Sequence, residues 1–176
     1  LERIAHVDPL TAAFNRHAFY GYLKKRGEDE KTVFGCVGFF DIDDLKPIND
    51  RFGHAAGDLA IRAVAGAIRN LIRAEDLIYR WGGDEFFVIM VSMRADMAQE
   101  RMRHLERTLN EIRIEGAEKP LTIRVSFGFT DFDDITDLEK AVKTADREMY
   151  RRKRSRKIRL DPHFISPVNA PAGQLN

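Results

Sequence analysis

The stretch YRWGGDEFFVIM, residues 79–90, places two glycines and two acids between runs of residues that favour β-strands. The pattern predicts a β-hairpin, with strands near residues 76–80 and 86–91. A tight turn uses glycine but does not need carboxylates, so Asp84 and Glu85 require a further explanation. At Gly82 and Gly83 the bare backbone would let a phosphate approach closely. We therefore predict an acidic metal site beside an opening for a nucleotide; the alternative is a glycine-containing hairpin with solvated acids.

Helical and strand patterns alternate on both sides of this hairpin. Residues 33–40 form a continuous apolar run, which is typical of a central strand covered on both faces, and residues 121–129 alternate like a strand with one buried face. Apolar spacing predicts helices at residues 14–23, 58–72, 102–112 and 136–154, and a short helix and loop at residues 45–54. This order predicts an α+β or α/β fold in which helices surround a central mixed β-sheet.

The composition favours a globular domain in a reducing compartment. Of the 176 residues, 44% are hydrophobic and 32% are charged, and the formal net charge of +1 argues against a globally basic nucleic-acid binder, though not against a local basic patch. Cys36 is the one cysteine and has no partner for an internal disulfide. The apolar run at residues 33–40 is too short to span a bilayer. We expect a cytoplasmic domain, which the full-length protein could anchor to a membrane upstream.

The two ends of the chain differ from its middle. Residues 1–7 begin without Met and place Leu1, Ile4 and Ala5 on one helical face. We expect the end of an upstream linker helix, cut from a larger protein, with an ordinary N-terminal helix as the equal alternative. Residues 159–176 are rich in Pro and Asn and predict a loose C-terminal tail. Residues 8–158 are then the folded domain.

Two carboxylates stand where adjacent strands are expected to end. Asp41 closes the central strand, and Asp84 sits at the tip of a hairpin that could lie beside it. Magnesium prefers oxygen ligands and usually takes one or two carboxylates together with substrate phosphates. The pair therefore predicts a Mg²⁺ site, with Mn²⁺ as the alternative ion.

Five blocks of sequence carry a family resemblance. In chain order they are DPLTAAFNRHAF (8–19), FFDIDDLKPINDRFGHAAGD (39–58), RWGGDEFF (80–87), VSFGFT (125–130) and ADREMYRRKRSRK (145–157). Together they resemble the GGDEF family, the diguanylate cyclases, with Ala12 where glycine is more usual. The resemblance implies a fold like the palm of adenylyl cyclases and polymerases. It also implies condensation of two GTP into cyclic di-GMP, with release of two pyrophosphates.

The resemblance further implies partners and a metal centre. Each monomer would hold one GTP, so a symmetric homodimer would be the active form, controlled by an upstream sensor or regulatory domain through coiled-coil pairing. Asp41, Asp84 and the backbone carbonyl of Ile42 would ligate the magnesium ion. Glu85 would lie near the metal or the attacking 3′-hydroxyl, as ligand or base; the alternative is a surface acid on the hairpin.

The same resemblance assigns substrate contacts to the segment between residues 44 and 58. Asp58 would accept hydrogen bonds from N1 and N2 of guanine, and the Asn49 amide would both donate and accept. Aspartate at position 58 favours two guanines in the product, because relatives that make mixed cyclic dinucleotides have serine rather than aspartate at the matching position. The alternatives are a helix N-cap for Asp58 and a loop-stabilising amide for Asn49. Lys46 would touch the phosphates, together with the backbone N–H groups of Asp44 and Leu45.

The end of the last helix both matches the family and departs from it. Lys153 and Lys157 match two cationic contacts to the triphosphate. The family usually has arginine where Lys157 stands, glycine where Arg156 stands and a small residue where Arg152 stands. Lysine keeps the charge but loses the bidentate fork of arginine. The alternative is that this basic cluster binds nucleic acid or a membrane surface. Most basic clusters of this kind are simply solvated helix ends.

The segment RAED, residues 73–76, has the spacing of the family's RxxD product-inhibition site. Arg73 would grip the guanine and phosphate of cyclic di-GMP, and Asp76 would bind the guanine edge. The alternative is a local ion pair between positions i and i+3. Arg101 and Arg103 are candidates for a second arginine at this site.

Two other functions remain open from the sequence. One is a non-catalytic receptor of the same fold that binds GTP or cyclic di-GMP, and the presence of both acids and both glycines argues against it. The other is a different palm-type nucleotidyl enzyme, such as an adenylyl cyclase or polymerase, and Asp58 together with the near-neutral charge argues against it.

Overall fold

The computed structural model describes residues 5–27 and 33–160, with side chains as far as Lys157. Within these residues four strands form one sheet: β1 (Gly35–Ile42), β2 (Leu77–Arg80), β3 (Glu85–Val91) and β4 (Val125–Phe132). Their order across the sheet is β2-β3-β1-β4. The α+β fold and the hairpin are confirmed.

The sheet is antiparallel, whereas a mixed sheet was predicted. In the described part of the chain β1 pairs antiparallel with both β3 and β4, and β2 pairs antiparallel with β3. The hairpin is the reason. Strand β3 inserts between β1 and β2, and β1 lies between β3 and β4, so strands that run in the same direction are not neighbours.

Six α-helices surround this sheet in the described residues: α1 (Arg16–Gly27), α2 (Leu45–Phe52), α3 (His54–Leu71), α4 (Ala95–Met102), α5 (Leu105–Thr108) and α6 (Leu138–Leu160). A short 3-10 helix, Ile135–Asp137, precedes the last of them. None of the described helices is both long enough and apolar enough to cross a membrane.

Several predicted boundaries shift. Helix α3 begins at His54 rather than at Asp58, because Gly53, with φ 90°, ends α2 and serves as the N-cap of α3. The helix predicted at residues 102–112 overlaps α4 only at Met102 and otherwise contains the short α5, and both residues beside the intervening turn, Met102 and Leu105, are buried. The strand predicted from Leu121 begins at Val125, since residues 121–124 contribute an isolated bridge to residue 112 instead of a sheet pairing.

The two chain ends also differ from expectation where they are described. Residues 5–7 are not helical: Val7 forms an antiparallel bridge with Phe14, because a turn donates the Asp8 N–H to the Ala13 carbonyl and folds the chain back. Residues 1–4 of the expected linker helix lie outside the described residues. Helix α6 runs through residues 159–160, and the rest of the expected tail, residues 161–176, lies outside the described residues.

The strand β1 is buried on both faces, as its apolar run predicted. Phe40 and Ile42 belong to an apolar cluster beneath α3, α4 and α5, while Val37 and Phe39 belong to a second cluster beneath α1 and α6. The predicted apolar face of the last helix is confirmed as buried, and comprises Leu138, Ala141, Val142, Ala145 and Met149.

Helix α6 packs very closely on strand β4. A side chain at Gly128 would run into the α6 backbone at Met149. Glycine at this position therefore lets the helix cross the sheet at short range. This packing carries the C-terminal half of α6 toward the end of β1, where Asp41 lies.

Candidate active site

Three acids meet at the end of β1, where the sequence predicted them. Asp41 pairs with Glu85 across the sheet, and the Ile42 N–H donates to the Asp84 carbonyl at 2.9 Å. The hairpin turn therefore lies directly beside the end of the central strand. The structure brings together Asp41, Ile42, Asp84 and Glu85 from two segments about 40 residues apart in the chain.

The two carboxylate oxygens of Asp41 differ in their hydrogen bonding. Its Oδ2 atom accepts from Lys153 Nζ at 2.9 Å, whereas its Oδ1 atom is buried and accepts no hydrogen bond within the described chain. Burial raises the pKa of Asp41 to about 6, nearby Asp84 acts in the same direction, and Lys153 acts against both. A buried carboxylate oxygen without a partner is costly, so it marks a place for a ligand.

Glu85 shares this environment. Burial raises its pKa above the usual value, and the negative charges of Asp41 and Asp84 raise it further. It is half-buried rather than a freely solvated acid on the hairpin. A partly buried carboxylate beside other acids is suited to exchanging a proton or binding a cation.

The acids fit a magnesium ion that shares its shell with substrate. In the described residues no group of three or more Asp, Glu, His or Cys side chains is arranged to hold a metal ion. Two carboxylates, one of them with the unpartnered Asp41 Oδ1, and a backbone carbonyl nevertheless match an ion that takes one or two carboxylates and completes its shell with phosphates and water. Asp41, Asp84 and the Ile42 carbonyl would hold it.

The fold itself gives no reason for Gly82 and Gly83. Neither has a positive φ. A side chain at Gly82 would make only ordinary contacts with Glu85, and one at Gly83 would meet nothing within 4 Å. The turn could therefore accept side chains, so the open surface over these two residues is better explained by an approaching ligand than by the turn.

An ion pair that sequence reasoning missed supports the turn. Arg80 donates to both carboxylate oxygens of Asp8, at 3.0 and 3.2 Å, and to the Gly83 carbonyl at 2.8 Å. Burial alone would raise the pKa of Asp8, but the hydrogen bonds from Thr11 and the charge of Arg80 outweigh burial and lower the pKa. No local pattern could reveal this contact, because the two residues are 72 positions apart.

The start of α2 faces the same end of the sheet. Asp44 is the N-cap residue and adopts a left-handed conformation, with φ 58° and ψ 30°. The first N–H groups of a helix have no partner within it, so those of Asp44 and Leu45 are suited to an anion. Lys46 is exposed and forms an ion pair with Asp50 at 2.7 Å. Such an exposed pair is weak and does not prevent Lys46 from reaching a phosphate.

Asn49 lies against the first turns of α3, at the residue that precedes Asp58. The Asn49 side chain lies directly against Gly57 of α3, where any side chain at that position would overlap its amide. Asp58 is the next residue and is exposed. The alternative role of Asp58 as an N-cap is wrong, because the N-cap of α3 is Gly53.

Lys153 occupies a central position, while Lys157 lies on the periphery. The Lys153 ammonium contacts both Asp41 Oδ2, at 2.9 Å, and Asp43 Oδ1, at 3.5 Å. Burial works to lower its pKa, but these two carboxylates outweigh it and raise the pKa. Lys157 is exposed at the surface of α6. The sequence analysis predicted Lys153 as a phosphate contact but missed its contact with Asp41.

The RAED segment forms a turn after α3 in which Asp76 is buried and Arg73, Ala74 and Glu75 are exposed. Asp76 Oδ2 accepts from the Arg73 backbone N–H at 2.7 Å, so the pair is a capped turn rather than a side-chain ion pair. The Arg73 guanidinium lies instead 3.9 Å from Glu75. Asp76 is 7% exposed, and its Oδ1 atom has no hydrogen-bond partner in the described chain. Burial raises the pKa of Asp76.

The two candidates for a second arginine at this turn differ in position. Arg101 donates to the Leu71 carbonyl at 3.4 Å, at the end of α3, and its charge acts on Asp76. Arg103 is exposed and pairs with Glu100 at 3.1 Å. Arg101 is therefore the one near the turn.

Comparisons with known proteins indicate one family. The sequence model of the family described as "Diguanylate cyclase, GGDEF domain" matches residues 5–159. Diguanylate cyclase DgcP of Pseudomonas aeruginosa is 34% identical over 161 residues, which cover 89% of this chain and 24% of that protein. The probable diguanylate cyclase DgcT of Escherichia coli is 33% identical over 156 residues, which cover 86% of this chain and 34% of that protein. The chain thus spans about a quarter to a third of the length of these relatives.

A solved structure shows the same fold. The GGDEF domain of DgcB from Caulobacter crescentus, in complex with c-di-GMP, matches with a TM-score of 0.74 and 27% identity, covering 88% of this chain and 94% of that one. Sequence and structure therefore lead to one conclusion: this chain belongs to the GGDEF family of diguanylate cyclase domains.

Proposed function

We propose that this domain condenses two GTP molecules into cyclic di-GMP and two pyrophosphates, with Mg²⁺ held by Asp41, Asp84 and the carbonyl of Ile42. The observation that carries the proposal is the buried, unpartnered Oδ1 atom of Asp41 beside the hairpin acids. Structural carboxylates are normally satisfied, whereas a carboxylate that awaits a cation is not. When bound, the ion would supply positive charge to the phosphates and lower the pKa of a sugar hydroxyl.

The reaction replaces a phosphoanhydride bond of each GTP with a phosphodiester bond. The 3′-oxygen of each GTP forms a bond to the α-phosphorus of the other, and the bond from that phosphorus to pyrophosphate breaks. Each attacking hydroxyl gives up one proton, and Glu85, whose pKa is raised by burial and by its neighbours, is placed to take it or to hold the hydroxyl. Lys46, Lys153 and Lys157, with the N–H groups of Asp44 and Leu45, would hold the triphosphate.

Selection of guanine would depend on Asn49 and Asp58. The Asn49 side chain lies against Gly57 of α3, and the exposed Asp58 is the next residue of that helix. A carboxylate accepts from the N1 and N2 hydrogens of guanine, and adenine has neither in that arrangement. An Asp58→Ser variant should therefore lose selectivity for GTP over ATP.

Catalysis would require two copies of the domain. One site holds one GTP, and the two-fold symmetry of the product requires a second site facing it. We expect the isolated domain to be mostly monomeric and weakly active, and dimerisation through a fused coiled coil to raise turnover per monomer. Equal turnover with and without the coiled coil would contradict this.

Product inhibition is proposed at the turn of Arg73 and Asp76. Asp76 is buried, and within the described chain one of its carboxylate oxygens has no hydrogen-bond partner, which suits a donor on the guanine edge of cyclic di-GMP. The exposed guanidinium of Arg73 could stack on the base and bind a phosphate. Arg101 is near enough to add a second cation.

The experiment that tests the proposal is product analysis by chromatography after incubation with GTP and Mg²⁺, on protein stripped of bound nucleotide. Asp84→Ala removes a proposed metal ligand, and Glu118→Ala removes an exposed acid outside the proposed site as a control. We expect cyclic di-GMP from the wild type and the control and none from Asp84→Ala. Binding of cyclic di-GMP without turnover, even in a forced dimer, would instead favour a receptor.

A further inference from the structure

Two arginines of α6 reach over the free edge of the sheet. Strand β4 is an edge strand, and Arg124 directs its carbonyl toward β1, where it accepts from the Asp43 N–H. The carbonyls of Val125 and Phe127 therefore point away from the sheet. Arg156 donates to the Val125 carbonyl at 3.3 Å, and Arg152 donates to the Phe127 carbonyl at 3.5 Å.

Arg156 is fixed from three directions. Besides the Val125 carbonyl, its guanidinium forms an ion pair with Glu106 of α5 and lies 3.9 Å from Asp43 Oδ2. The planar fork of arginine suits several acceptors at once. Its side chain is 45% exposed, so these ion pairs are more important for geometry than for stability.

Asp43 connects Arg156 to the active site. Its side chain is 13% exposed, and it accepts from Ser126 Oγ with both oxygens at 3.0 Å. It also lies 3.5 Å from the ammonium of Lys153, which is the group that contacts Asp41. Charges of alternating sign thus run without a gap from α5 to the metal-binding acid, in the order Glu106, Arg156, Asp43, Lys153, Asp41.

We propose that Arg156 is a positioning residue that acts through Asp43 to keep Lys153 available for the phosphates of the substrate. Arg156 and Lys153 share the Asp43 carboxylate. If Arg156 loses its charge, Asp43 attracts Lys153 more strongly, because a poorly solvated carboxylate retains one cationic partner instead of two. Lys153 would then turn toward Asp43 and contact the triphosphate less well. The inference rests on the proposed function, since it takes Lys153 as a phosphate contact.

The test compares binding of GTP with binding of guanosine, which has no phosphate, by titration calorimetry. We expect Arg156→Gln to weaken GTP binding about fivefold and to leave guanosine binding unchanged, since only a phosphate contact is altered. In turnover assays the KM for GTP should rise by about the same factor, with kcat changed less than about twofold. Arg156→Lys keeps the charge and should restore most of the affinity.

The matched control is Arg151→Gln. Arg151 lies on the same helix, carries the same charge and pairs only with Glu148 among the described residues, at 2.6 Å. An equal loss of GTP affinity in both variants would show that net charge, and not position, is responsible, and would overturn the proposal. Equal weakening of guanosine binding in Arg156→Gln would also overturn it, because the damage would then be general.

A double-mutant cycle tests whether Arg156 acts on GTP binding through Lys153. In a Lys153→Ala background, Arg156→Gln should have no further effect on GTP binding, and a full additive loss would refute action through Lys153. Wild-type protein that binds GTP but forms no cyclic di-GMP would refute the proposed function while these comparisons still decide the role of Arg156. Wild-type protein that does not bind GTP would refute both.

Discussion

A substitution at Gly57 would displace the Asn49 side chain without replacing any residue of the proposed substrate site. A methyl group at this position would overlap the Asn49 amide oxygen and come within 2.8 Å of its Cγ atom. The Asn49 side chain would therefore have to leave its present rotamer. We expect Gly57→Ala to weaken GTP binding with little change in the stability of the domain.

The magnitude follows from two opposing terms. Alanine is favoured over glycine within a helix by about 1 kcal/mol. Holding Asn49 off its rotamer costs about 0.5–1.5 kcal/mol, so the free energy of unfolding should stay within about 1 kcal/mol of the wild type. Loss of the hydrogen bonds of one neutral amide costs about 0.5–1.5 kcal/mol, which raises the KM for GTP about 2- to 10-fold.

The control lies in the same helix. A side chain at Gly66 would meet nothing within 4 Å. Gly66→Ala should therefore stabilise the domain by about 1 kcal/mol, raise Tm by about 2–4 °C and leave the KM unchanged. Steady-state kinetics and thermal unfolding of both variants give the comparison.

One result would refute the reasoning directly. If Gly57→Ala acts by displacing Asn49, it should add nothing in an Asn49→Ala background. A further rise of KM in that background would show that the methyl group disturbs the site by another route, and an unchanged KM in the wild-type background would show that Asn49 does not read the substrate.

Three further predictions concern single residues. Burial raises the pKa of Asp41 from 3.8 to about 6, so the metal-free folded state binds this proton more tightly than the unfolded state does, and stability is lost as pH rises through that range. The free energy of unfolding, measured with urea and a chelator, should fall by up to about 3 kcal/mol between about pH 4 and 6, and an equal fall in Asp41→Asn would contradict this. Ala12 has φ 58°, a conformation that costs a non-glycine residue about 1–2 kcal/mol, so Ala12→Gly should stabilise the domain by about 0.5–1 kcal/mol after the entropy of the unfolded chain is counted. Ala55→Gly, inside α3, should destabilise it, and the same sign for both changes would exclude the argument. Asp76→Asn keeps an acceptor for the turn but loses the charge, so the cyclic di-GMP concentration that halves activity should rise about tenfold; an unchanged value would rule out Asp76 as the product contact.

Local pattern was enough for several elements of this domain. Strand β1 was recognised as central because its apolar run occupies both faces, and the structure buries both. The face of α6 that was predicted from helical spacing is the face that packs on the sheet. The hairpin and the acids at its tip were likewise found from sequence, because a turn of this kind depends on residues that are adjacent in the chain.

Predictions failed where the determining contact was distant or its sequence signal was weak. The start of α3 was missed because residues 54–57 are small or polar and show no apolar periodicity, while the decisive backbone conformation is that of Gly53. The antiparallel sheet was missed because strand order depends on where β3 inserts, which no single segment determines.

The sequence by itself determined which residues we propose for the chemistry: Asp41, Asp84 and Glu85 beside two glycines, with lysines on two helices. Their types and order are local properties, and they are sufficient to indicate the family. Only the tertiary structure decided how these charges are shared, because ion pairs join residues that are far apart in the chain. The contact between Lys153 and Asp41 spans 112 positions, and the one between Arg80 and Asp8 spans 72. Such contacts depend on how α6 and the hairpin pack on the sheet, and packing is a property of the whole folded chain.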